Sequence, residues 1–289
     1  IAINANSSKS LFTSRSIDTL EIDFGGNTSS KAAYGPCVEL ETGAIVDARG
    51  LYYMDNTTDF VYHVAPDLIN GTATLTPLLQ SPYGGTHMSL NTIGNQLYLV
   101  QGGGTNRYGY FDFNTNSYTE VGELNQNAIY QVAFSPFGEM YFAANKINEV
   151  MVMSDPLSGD FESYGQVKID GTEDGFINLA GADMAFDNDG SLYVATHSGR
   201  KIYTVSGKKG HLLAKELGTT EGKLVTGMAV LDAGSGNLIC SVKGASAMTV
   251  VNIKDGSSTD LDLVGLDQMG WGDMTGGGLL LRDLCDGYA

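Results

Sequence analysis

Gly181-Ala182-Asp183-Met184-Ala185-Phe186-Asp187-Asn188-Asp189-Gly190-Ser191-Leu192-Tyr193-Val194-Ala195 is the stretch on which the fold is read. A short apolar run, Asp183 to Phe186, enters a turn of Asp, Asn and Gly, and a second run, Leu192 to Thr196, leaves it. That is the signature of a tight β-hairpin. The same hairpin recurs along the chain. Its turns are Asn91 to Asn95, Ser135 to Gly138, Asp187 to Gly190 and Asp232 to Gly236, each closed by a glycine followed by an apolar residue and then by Tyr or Ile. The glycines Gly94, Gly138, Gly190 and Gly236 stand 44, 52 and 46 residues apart. The step from glycine to the Tyr or Ile is four residues in the first copy and three in the others.

Each copy extends to four strands. First strands begin at His87, Gln131, Asp183 and Gly227, and second strands at Leu97, Met140, Leu192 and Leu238. Third strands begin at Tyr110, Val150, Ile202 and Thr249, and a more polar fourth segment follows. Repeats of four antiparallel strands at this period are propeller blades. A degenerate earlier unit spans about Tyr34 to Gln80, with Leu51-Tyr52 on its second strand and Val61 to Val64 on its third. The remainder, Met269 to Ala289, holds an inner strand around Asp273-Met274 and a second around Leu279 to Cys285. Leu11 to Thr13 and Leu20 to Phe24 read as third and fourth strands. The expectation is therefore an all-β, six-bladed propeller of four-stranded blades, its N- and C-terminal strands sharing the last blade. Such sharing removes open sheet edges. One domain, residues 10–289, follows an N-terminal extension, residues 1–9.

The blade stretch from Gly181 to Ala195 resembles those of the six-bladed SMP-30/gluconolactonase, NHL and strictosidine-synthase-like group. The resemblance is a repeat pattern over most of the chain, so it implies a fold rather than an activity. Lactonases of that group hold a divalent metal on the central axis with acidic and amide ligands from several inner strands. The first-strand positions here carry His87, Gln131, Asp183, Gly227 and Asp273, which is not that complete set. Asp183 and Asp273 are the metal candidates, for a hard cation such as calcium; solvated carboxylates at a propeller mouth explain them equally.

Composition narrows the partners. The net charge is −17 and the sequence pI about 4.4, which repels nucleic acid and anionic membranes. No apolar run is long enough to span a bilayer as a helix. The chain starts at Ile1 rather than at a methionine, as one shorn of a signal peptide does and as a trimmed one does. Cys37, Cys240 and Cys285 lack metal-ligand spacing, and one bridge plus one buried thiol is expected in an oxidising compartment. Asn6, Asn27, Asn56 and Asn70 head glycosylation sequons, all within the first 72 residues.

No Gly-x-Ser-x-Gly elbow and no His-Glu-x-x-His pair occurs. Asp170 to Gly175 and Asp187 to Gly190 carry calcium-compatible residues, although neither completes an EF-hand. Asp170 to Gly175 lies in the insertion that lengthens one interval to 52. Trp271 reads as an exposed sugar-stacking platform or as a core plug, the latter favoured by aromatic burial. Ile1-Ala2-Ile3-Asn4 is β-prone and suited to adding to a neighbour's sheet edge. These features point to a secreted or surface-displayed, non-catalytic binding or assembly module with a protein or glycan partner or its own copies. The alternative is a metal-dependent lactonase or hydrolase at the mouth of the channel.

Overall fold

The repeated glycine turns exist because the chain must reverse through a left-handed residue. In the computed structural model Gly138, Gly190 and Gly236 have φ of 87°, 85° and 68°. In the first copy that place is taken by Asn95, φ 52°, and not by Gly94. Asn tolerates this region better than other residues with a Cβ. Counting from Asn95 restores the three-residue step to Tyr98, so the irregular first copy has the same turn as the others.

The structure describes residues 38–39, 45–46 and 50–276, apart from 103–105, 127, 145–147, 174, 182, 197–199, 220–221 and 233–235. Among them there is no helix. Two short strands, β1 (Val38–Glu39) and β2 (Ile45–Val46), pair with each other. Next come β3 (Leu51–Asp55), β4 (Phe60–Asp67) and β5 (Thr72–Gln80). The second unit is β6 (Thr86–Asn91), β7 (Gln96–Gln101), β8 (Arg107–Asp112) and β9 (Ser117–Glu123). The third is β10 (Ile129–Phe134), β11 (Met140–Ala144), β12 (Glu149–Met153) and β13 (Glu162–Ile169). The fourth is β14 (Asp183–Phe186), β15 (Leu192–Thr196), β16 (Lys201–Lys208) and β17 (His211–Thr219). The fifth is β18 (Val225–Asp232), β19 (Asn237–Val242), β20 (Ala247–Asn252) and β21 (Ser258–Val264), and a last strand is β22 (Gly272–Gly276). Each full unit is an antiparallel meander, as the repeat requires.

Closure differs from the sequence expectation. β22 pairs antiparallel with β3, Asp273 opposite Met54 and Met274 opposite Tyr53, so it is the innermost strand of the first unit. The innermost strands β22, β6, β10, β14 and β18 each pack on the next, and β18 packs on β22 again. Among the described residues the ring thus closes with five blades rather than six. The strand around Asp273-Met274 completes the degenerate first unit, which has no inner strand of its own. It does not found a sixth blade. Leu11 to Phe24, expected to share that blade, lies outside the described residues, as does Leu279 to Cys285.

Blades bury both faces, which is why their second strands are apolar without alternation. Leu97 and Leu99 pack with Tyr52, Met54 and Val61 of the first blade. Tyr98 and Val100, on the opposite face of the same strand, pack with Val132, Phe134 and Met140 of the third. Each such fully buried side chain contributes roughly 1.5–3 kcal/mol through apolar area removed from water. At the periphery, β13 pairs in parallel with β17 and β21 with β5, tying blades together two by two.

One expected outcome tests the turn. An added Cβ at Gly190 meets only Phe137 at 3.7 Å, an ordinary contact, so Gly190→Ala carries a purely conformational cost. We expect it to lower unfolding free energy by about 1–2 kcal/mol, and Gly190→Asn to cost less, in urea melts of the two variants.

Candidate functional site

The five innermost strands place one residue each at the same register position. His87 pairs with Val100, Gln131 with Ala143, Asp183 with Ala195, Gly227 with Ser241 and Asp273 with Met54. Around the ring the order is Asp273, His87, Gln131, Asp183, Gly227. This is the central belt, and Gln131, Asp183 and Asp273 are at most 1% exposed. The expectation of solvated carboxylates at a mouth is overturned, because both are enclosed by the packed inner strands.

Gly227 brings the two acids together. A Cβ there would stand 2.4 Å from the Met274 nitrogen and 2.6 Å from the Asp273 carbonyl carbon. Without a side chain on β18, β22 packs close, and the Asp183 carboxyl comes under the influence of Asp273 across the gap. Burial first, and the Asp273 charge second, hold Asp183 protonated well above the ordinary carboxylate range. Behind the pair on β19, the Cys240 thiol is buried and unpaired, its pKa pushed up to about 12, chiefly by burial. The expected bridge between the other two cysteines lies outside the described residues.

The carboxylate oxygens serve the backbone. Asp183 Oδ1 accepts the Met184 N–H at 2.7 Å, and Oδ2 the Met228 N–H of the next blade at 2.6 Å. Asp273 Oδ1 accepts Met274 N–H at 2.8 Å, and Oδ2 accepts Met88 N–H, again of the next blade, at 2.9 Å. His87 Nδ1 lies 3.3 Å from the same Oδ2. Two residues further along, Thr275 Oγ1 accepts Leu90 N–H at 3.1 Å and Ser89 Oγ accepts Phe134 N–H at 2.9 Å. Inner strands of a propeller do not pair with each other as a ladder. Their inward N–H groups need partners, and these side chains supply them.

As a cation cradle the belt is only partly equipped. Calcium takes roughly six to eight oxygen ligands, whereas all four carboxylate oxygens already receive an N–H and burial beside Asp273 disfavours the charged form of Asp183. Among the described residues no three His, Cys, Asp or Glu side chains cluster as metal ligands. Gln131 donates through Nε2 to the Leu179 carbonyl, but its Oε1 is buried without a hydrogen-bond donor. Sequence reasoning placed Gln131 and Gly227 at first-strand positions but gave neither a role. The shared register position was their signal.

The other candidates separate. In the Asp187 turn, Oδ1 accepts Asp189 and Ser191 N–H and Oδ2 accepts the Tyr193 hydroxyl, so turn chemistry occupies the carboxylate. The insertion forms a small hairpin, Val167 and Ile169 bonding to Ile177 and Gly175, with Thr172 Oγ1 accepting Gly175 N–H. Trp271 is 43% exposed with Lys243 Nζ 4.1 Å above its ring, so it does not plug the core. Asn56 is half-buried and accepts Thr86 N–H through Oδ1, whereas Asn70 stands exposed in the β4–β5 turn. Asn6, Asn27, His197 and Ile1 to Asn4 lie outside the described residues.

Two outcomes test the belt. A raised folded-state pKa makes Asp183 stabilising at low pH, and that contribution fades as pH rises through the folded value. The melting temperature should therefore fall with rising pH, and Asp183→Asn, which no longer titrates beside Asp273 and His87, should flatten the profile. Gly227→Ala forces backbone apart and should cost at least the roughly 1–3 kcal/mol of core overpacking, read by thermal unfolding.

No protein-family model matches the sequence, and no curated protein matches it. Among solved structures, a protein of unknown function from Bacteroides thetaiotaomicron superposes with a TM-score of 0.50 at 14% identity, over 84% of this chain and 68% of that one. A chain of the nidogen/laminin complex gives 0.49 at 13% identity, over 78% and 81%. A streptogramin B lyase gives 0.43 at 12%, over 82% and 70%. At such identities the likeness concerns fold alone, and the β-propeller architecture rests on the strand order itself.

Proposed function

We propose that the protein is a non-catalytic, extracellular β-propeller acting as a binding or assembly module. The observation that carries this reading is the employment of the belt carboxylates. Each oxygen of Asp183 and Asp273 holds an inner-strand N–H, which makes the pair a staple of the ring. The acidic surface and the exposed Asn70 sequon support life outside the cell, with a glycan on the outer turn of the first blade. Asn56, which is half-buried, remains unmodified in this reading.

A second reading has one observation in its favour. The buried Gln131 Oε1 without a donor is a ligand atom to spare, and with Asp183 and Asp273 it points to a cation-dependent hydrolase. The discriminating experiment is a screen of lactones and phosphoesters with and without calcium, in wild type and in Asp273→Asn. No turnover is expected in either protein. Turnover that depends on calcium and vanishes in Asp273→Asn makes the protein a hydrolase.

A further inference from the structure

Outer strands pair across blades two by two, β13 with β17 and β21 with β5, and five is odd. The strand left over is β9, whose ladder partner among the described residues is β8 alone. Both neighbouring outer strands, β13 and β5, are turned away from it into their own parallel pairs. Ser117, Thr119, Glu120 and Glu123 are exposed along β9, and Tyr118 is half-buried beside them. Ser117 to Glu120 forms a regular run before the bulge at Val121, so about four residues of open edge are offered. An unpaired edge of this kind accepts an added strand.

We propose that this edge receives residues Ile1–Lys9 of a second copy of the chain, building an assembly by strand addition. Two features of the sequence choose that occupant. Ile1-Ala2-Ile3-Asn4 is a short β-prone run of matching length, with alternate apolar residues to lie beside Tyr118. Residues 1–9 contain Lys9 and no Asp or Glu, in a chain of net charge −17. That lysine complements Glu123, Glu120 being paired with Arg107, whereas an acidic partner strand would be repelled. Arg107, bonded to Glu120, Asp112 opposite Ser117, and Glu123 are the charged groups that border the edge on β8 and β9. The donated strand supplies the outer pairing that the odd blade lacks.

The inference rests on the module reading, and its failure is separable from that one. The probe is the full chain carrying Cys37→Ser and Cys285→Ser, followed by sedimentation velocity across a concentration series. Wild type should associate, and removal of residues 1–9 should leave a monomer with unchanged melting temperature. Glu123→Lys should weaken association by about tenfold, and high salt should do the same. Mixing one chain bearing Ile3→Cys with another bearing Thr119→Cys should give a disulfide between chains on oxidation. Association that survives loss of residues 1–9 overturns the proposal. So does a disulfide that forms only within a chain bearing both cysteines, which would make the strand a chain's own. Turnover in the hydrolase screen ends the module reading instead.

Discussion

Everything in this ring depends on how five inner strands, too far splayed to pair as a sheet, satisfy their inward N–H groups. Side-chain oxygens do it. Asp183, Ser89, Asp273 and Thr275 each hold an N–H of the following blade. A hydrogen bond from an amide to a buried carboxylate is worth more than a neutral one, and leaving such an amide unpaired costs about 1–3 kcal/mol. The staples are therefore matched to the place where the fold has no other partner to offer.

The acids then impose a constraint of their own. Two neighbouring carboxyl groups in a dry interior oppose each other's ionisation, and burial first and the Asp273 charge second raise the Asp183 pKa well above its ordinary range. The meeting is possible only because the intervening position is Gly227, where a Cβ would collide with β22. Ring closure, a protonated acid and a glycine are thus one arrangement. It joins β22, the last strand among the described residues, to a first blade that lacks an inner strand. Groups so used tie the scaffold together, while Trp271, the Asn70 turn and the β9 edge stand exposed.

The blade pattern was legible in sequence because a strand buried on both faces between flanking blades is written as a short apolar run, bounded by turns whose residues must adopt positive φ. Leu192 to Thr196 and Met140 to Ala144 end where the sequence pattern ends them. The blade number was not legible. β22 supplies an inner strand to residues far earlier in the chain, and nothing local in Asp273-Met274 tells which unit it joins. Counting incomplete units at both ends gave six, and the β22–β3 ladder makes five among the described residues. Trp271 went the same way, since its burial depends on loops that only the closed ring brings together.

The sequence by itself determined the strand repeat, the hairpin turns, the acidic surface and the membership of the central belt, because each follows from local pattern and composition. Only the tertiary structure decided what that belt is for. Asp183 and Asp273 are 90 residues apart in the chain. Whether they face water, a cation or each other is set by the spacing of three inner strands and by the empty place at Gly227. That spacing is a property of the closed ring, and no short stretch of the chain encodes it.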